Sequence, residues 1–161
     1  MADQVSRNCI FCQIAQQTAP AHVIWEDDTH MAFLSIFPNT DGFSVVIPKQ
    51  HYGSYAFAQP DEVLAQLITA TKKVALILDA FFPDVGRCGM FFEGYGVDHL
   101  HSKLFPMHGT GENANWQAIE STSDTTFYSH YPGFLSSNNS ERANDTKLAL
   151  LAEKIRLSQK K

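Results

Sequence analysis

A chain of 161 residues, 44% hydrophobic and 18% charged, has the length and composition of one globular domain with a real core. Its net charge of -5 argues against a general binder of nucleic acid or of an anionic membrane, so any anion chemistry must be local. No apolar run approaches the ~20 residues of a membrane span. The start, Met1-Ala2-Asp3-Gln4, lacks a signal pattern. Three cysteines, two of them close together, suit a reducing cytoplasmic compartment and a metal or redox site better than a disulfide framework.

In chain order, Cys9-Ile10-Phe11-Cys12 comes first. The spacing lets two thiolates chelate one ion or form a redox pair. No strand precedes it, which speaks against a thioredoxin-like unit. Gln13 to Gln17 reads as a short helical turn ended by Ala19-Pro20. Three strand candidates follow: His22 to Trp25, Met31 to Ile36 and Phe43 to Ile47. The turns between them are short, which favours an antiparallel meander. Pro60-Asp61-Glu62 opens a long helix, with proline and acids in its first turn. Its apolar side is Val63, Leu64, Leu67, Ile68, Val74, Ala75, Leu78 and Phe82, and Pro83 ends it. Cys88 to Phe92 and Leu100 to Phe105 read as strands four and five, with Cys88 as a buried apolar-like residue.

Residues 109–144 are rich in Gly, Asn, Ser and Thr, with Trp116, Tyr128, Tyr131 and Phe134 interspersed. A loop of this length is usually functional or mobile, and the aromatics imply that it is docked, over the site or on a partner chain. Helical spacing returns over 145–157 with Leu148, Leu151 and Ile155. The expectation is an α+β domain over 1–161 with its core at about 9–108. About five antiparallel strands would pack on one long helix and a C-terminal helix.

The chemistry concentrates in Val97-Asp98-His99-Leu100-His101-Ser102-Lys103-Leu104-Phe105-Pro106. Alternation is the period of a strand, which puts His99, His101 and Lys103 on one face and Leu100, Ser102 and Leu104 on the other. Two imidazoles and an ammonium make a poor core face and a good floor for an anion; a merely basic surface strand is the plainer alternative.

Cys9-x-x-Cys12, Trp25-Glu26-Asp27-Asp28, Ala32-Phe33, Val46-Ile47-Pro48-Lys49-x-His51 and His99-x-His101 with Pro106 together resemble the histidine triad (HIT) superfamily, in particular its bacterial hydrolase-like branch. The resemblance runs from about Cys9 to His108. It implies an antiparallel sheet with a packed helix, a homodimer, and action on a small nucleotide joined through phosphate to a leaving group. It makes His101 a nucleophile that forms a covalent nucleotidyl-histidine later broken by water. It places Ser35, Ile36, Lys103 and His108 at the substrate, and His99 and Lys103 beside the reaction. Cys9, Cys12, His51 and His99 form a Cys₂His₂ set suited to a structural zinc, as some relatives use. Without zinc, His99 would join the hydrogen bonds around the nucleophile; with both His99 and His101 on a metal, the site would be a zinc hydrolase.

Three features depart from the family pattern. Lys103 stands where the third histidine is expected. Ser35 stands where many nucleotide binders carry an Asp for the ribose hydroxyls, and a hydroxyl makes fewer such bonds. The stretch Phe92-Glu93-Gly94-Tyr95-Gly96-Val97 is short and less polar than the usual phosphate loop. The expected activity is hydrolysis of a nucleoside phosphoramidate, a dinucleoside polyphosphate or a similar conjugate. Nucleotidyl transfer, or a non-catalytic zinc-stabilised binding domain, is the alternative. Lys103 itself is expected to keep His101 neutral by its charge and to neutralise a phosphate oxygen.

Overall fold

The computed structural model describes residues 8–111, 118, 127–133 and 140–160. Its elements are α1 (Ile10–Ala15), β1 (His22–Glu26), β2 (His30–Leu34), β3 (Ser44–Pro48), a 3-10 turn (Ala56–Ala58), α2 (Asp61–Phe81), β4 (Cys88–Phe91), β5 (Ser102–Pro106) and α3 (Asp145–Ser158). The architecture is α+β, with one five-stranded antiparallel sheet. No helix is long and apolar enough to cross a membrane among the described residues.

The strand order is β1-β2-β3-β5-β4. The first three strands form the expected antiparallel meander. After α2 the chain forms β4 at the sheet edge and then inserts β5 beside β3. The strand that follows His101 is therefore held on both sides: Lys103 pairs with Val45 of β3 and with Phe91 of β4.

The sheet is covered on both faces, which explains why β2 and β3 are buried throughout rather than alternating. Ala32, Leu34, Val46, Leu100 and Leu104 pack toward α2 and α3. Met31, Phe33, Val45 and Ile47 pack with Ile14 of α1 on the opposite face. Burying each such side chain is worth about 1.5–3 kcal/mol.

The long helix lies where its spacing puts it, from Asp61 after Pro60. Its buried line is Leu67, Ala70, Thr71, Val74 and Leu78, whereas Ile68 is exposed. Thr71 replaces a hydrophobe there because its hydroxyl donates to Leu67 O at 2.8 Å and accepts from Ser102 O–H at 2.7 Å. The first helix begins earlier than Gln13 because Cys9 caps it, its Sγ accepting from Cys12 N–H at 3.5 Å. At the other end Asn144 caps α3 by accepting from Lys147 N–H. Leu148, Ala152 and Ile155 seat α3 in the core.

Candidate active site and metal centre

The ladder of β5 starts only at Ser102, later than the expected Leu100. Upstream, Leu100 N–H bonds Tyr52 O and His99 N–H bonds Val97 O, so the chain is fixed by the 52 loop and its own turn. The alternation still holds. Leu100 and Leu104 face the α2 core and Ser102 meets Thr71. His99 and His101 both meet the edge of the Phe11 ring, with centroids 5.9 and 5.4 Å away.

His99 and His101 are nevertheless put to separate uses. His99 is fully buried. A carbonyl can only accept, so the contact of its Nε2 with Pro48 O at 2.8 Å places the ring proton there. Nδ1 then presents a lone pair, 3.5 Å from both Cys9 Sγ and Cys12 Sγ. His51 Nδ1 lies 3.3 Å from Cys12 Sγ. The four donor atoms of Cys9, Cys12, His51 and His99 all lie within 4.8 Å of one another. A tetrahedral ion at about 2.3 Å from sulfur and about 2.0 Å from nitrogen separates its S and N ligands by about 3.5 Å, so this donor set fits one. The Pro48 carbonyl is the outer partner that fixes a ligating imidazole. Asp98 braces the loop after His51 by accepting from Ser54 N–H at 2.9 Å. Burial pushes His99 down to about 4, with the Pro48 bond opposing, and pushes the Cys12 thiol up to about 11, with Cys9 adding to it.

His101 Nδ1 donates to its own chain, to His99 O at 2.7 Å. Its Nε2 is then the unprotonated nitrogen of the neutral ring. Burial lowers the His101 pKa, opposed by the His99 carbonyl; Lys103 adds to the lowering and Glu93 offsets it. The neutral imidazole thus owes more to burial than to the Lys103 charge expected to produce it.

Lys103 is not a surface lysine. Its Nζ lies 3.1 Å from Glu93 Oε2, with side-chain exposures of 6% and 5%. It sits 5.6 Å from the Phe91 ring centre. Glu93 Oε1 accepts from Tyr131 O–H at 2.6 Å. Thus one expected aromatic of the long loop does reach the site; Trp116 and Phe134 lie outside the described residues.

His101 and Lys103 open into a cavity of about 570 Å³, within the size range of small-molecule sites. It runs over β3 and β2 to a rim on β1, roughly 14 Å at strand spacing, with Ile10, Phe11 and Phe33 among its apolar walls. Ser35 and Ile36 line it, but Ser35 Oγ also accepts from Phe37 N–H at 3.1 Å, in a local turn. At the far rim, Asp145 is held by Arg142 and by His22. His108 does not line this cavity: Nδ1 meets the Asp84 carboxylate at 3.0 Å and Nε2 donates to Asp41 O at 2.9 Å.

Phe11, Glu93 and Asp98 were not among the expected site residues. Glu93 had no signal in the sequence: only the β4–β5 register, continued beyond Phe91–Lys103, sets residue 93 opposite His101. Gly94 and Gly96, both at positive φ, then turn the chain away within a loop too short for a longer cradle.

Residues 16–110 match the HIT domain family. An HIT-like protein of Methanocaldococcus jannaschii is 36% identical over 109 residues, 65% of this chain and 83% of that one. The adenosine 5'-monophosphoramidase of Saccharomyces cerevisiae is 30% identical, covering 72% of this chain and 74% of that one. The same fold recurs in the crystal structure of a Zn-bound histidine triad family protein from Mycobacterium smegmatis, with TM-score 0.66, 21% identity, and coverage of 95% and 94%. The chain belongs to the HIT family.

Proposed function

We propose that the protein hydrolyses a nucleotide conjugate through a covalent nucleotidyl-histidine on His101. One observation carries this reading: His101 Nδ1–H is fixed on the His99 carbonyl at 2.7 Å, leaving Nε2 as the nucleophilic nitrogen at the cavity. Attack on the α-phosphorus forms a P–N bond while the bond to the leaving group breaks. Water then attacks the same phosphorus, the P–N electron pair returns to Nε2, and a nucleoside monophosphate departs. Lys103 would neutralise phosphate charge beside His101. The relation to a yeast adenosine 5'-monophosphoramidase supports a nucleotide substrate. Ser35 and Ile36 would take part in holding the nucleoside, and the apolar walls would take its base. His108 has a clamp role in place of the expected substrate contact.

The Cys9, Cys12, His51 and His99 set would hold one structural zinc, since four protein donors leave no open position. That ion would tie α1 to the nucleophile's segment; the reaction needs no step at it. A cytoplasmic homodimer belongs to the same reading. It is supported by the edge position of β4, where Met90 is exposed, and by the exposed Ile68 and Leu76 of α2. A monomer at micromolar concentration in sedimentation would remove the dimer.

The decisive experiment screens adenosine phosphoramidates, diadenosine polyphosphates and nucleotide sugars with the purified protein, with His101→Ala as control. Turnover that survives His101→Ala rejects the mechanism. Nucleotide binding without turnover would instead favour a binding domain.

A further inference from the structure

Lys103 occupies the position next to the nucleophile on the same strand face, and its ammonium has a fixed counter-ion. Glu93 Oε2 lies 3.1 Å away, both side chains are nearly inaccessible, and the second carboxylate oxygen accepts from Tyr131 O–H at 2.6 Å. Glu93 does not line the cavity, so it acts through Lys103 rather than on a ligand.

We infer that Glu93 and Tyr131 are positioning residues that lock Lys103 as a permanent cation, and that the site therefore selects conjugates whose leaving group departs as a stable anion. The inference rests on the His101 reading above. If Lys103 gave its proton away, Glu93 would be left as a buried carboxylate beside a neutral amine, which is strongly disfavoured. The cation therefore contributes charge, not a proton. In the first step His101 Nε2 bonds to the α-phosphorus and the bond to the leaving group breaks, its electron pair going to the departing atom. A phosphate oxygen accepts that pair as an oxyanion and needs no proton. An alkyl amine nitrogen must be protonated to leave, and Lys103 does not supply that proton. Phosphoanhydrides are favoured over alkyl phosphoramidates.

The test compares kcat/KM for diadenosine triphosphate, which loses ADP, with that for an adenosine 5'-phosphoramidate of an alkyl amine. The native protein should favour the triphosphate by about 100-fold, the lower end of what a missing general acid costs. Lys103→His introduces a group that titrates near neutrality, and should narrow the ratio by at least about 10-fold. Glu93→Gln keeps the shape of the contact, removes the stranded anion, and should narrow the ratio in the same direction. A merely structural Glu93 would lower both rates together. Equal native rates, or a ratio unchanged in both variants, overturns the inference and leaves the His101 mechanism standing. No His101-dependent turnover of either substrate removes the mechanism, and this inference with it.

Discussion

His101 Nδ1 lies 2.7 Å from the carbonyl oxygen of His99, so the residue that completes the Cys₂His₂ cluster also sets the tautomer of its neighbour. The side chain of His99 faces the cysteines while its backbone faces His101. Replacing His101 by Ala should lower turnover by at least about 1000-fold, because the nitrogen that attacks phosphorus is removed. The ring lines the cavity, so its loss enlarges an existing space and the fold should persist. Rapid acid quench of native protein should capture a nucleotide on His101 when the second step is slow. Full activity in the alanine variant would end the proposal.

Zinc content should be one ion per chain. Cys9→Ser removes one thiolate while its hydroxyl can still cap α1, so the variant reads the metal site rather than the helix end. Loss of the ion should cost several kcal/mol, because metal binding free energy adds to folding free energy. Elemental analysis and melting with and without chelator would check this. An unchanged melting temperature in Cys9→Ser, with no zinc in native protein, would remove the site.

Thr71 and Ser102 share a fully buried hydrogen bond of 2.7 Å between α2 and the strand that follows His101. Thr71→Val conserves volume and strands the serine hydroxyl. It should destabilise the protein by about 1–3 kcal/mol, read by urea denaturation. Ser102→Ala combined with Thr71→Val should recover part of that loss, since no polar atom is then left alone.

His108 makes its own contribution to the pH dependence of stability. Burial lowers its pKa, but the Asp41 carbonyl and the Asp84 carboxylate outweigh it and raise the value above 6.5. A raised folded pKa gives stability that is fully present below the unfolded value of 6.5 and is lost as pH rises through the folded pKa. Asp84 is shifted down, chiefly by the His108 bond, so the pair survives well into acid. The melting-temperature gap between native protein and His108→Gln should therefore be widest below pH 6.5 and should narrow as pH rises through the folded pKa. A gap that widens with pH would contradict the assignment.

The sequence carried the parts that depend on local period. The α2 span follows from Pro60 and helical spacing, and the alternation from His99 to Leu104 places its side chains on the correct faces. It did not carry what depends on pairing. Strand order cannot be read from turn lengths once a 21-residue helix intervenes, so β5 rather than β4 beside β3 was not foreseeable. Glu93 was invisible as a partner for the same reason, since only the β4–β5 register brings it to Lys103. The basic face expected of His99, His101 and Lys103 is only partly open: Phe11, inside the Cys9-x-x-Cys12 turn, lies against both imidazoles, while His101 and Lys103 still line the cavity.

The Lys103–Glu93 pair gives the last prediction. Lys103→Met preserves much of the stem and removes the charge, which would be a clean probe of a surface lysine. Here it leaves Glu93 buried with no cation. Breaking a buried pair from one side costs about 3–5 kcal/mol, far more than the net worth of the pair itself. Glu93→Gln alone should cost less, since the amide oxygen can still accept from the ammonium and the amide can still bond the Tyr131 hydroxyl. The double variant Lys103→Met with Glu93→Gln should be more stable than Lys103→Met alone, because it contains no unpaired charge. Denaturation of the four proteins gives the coupling energy directly. A coupling near zero, with Lys103→Met as stable as native protein, would mean that the ammonium and carboxylate do not depend on one another.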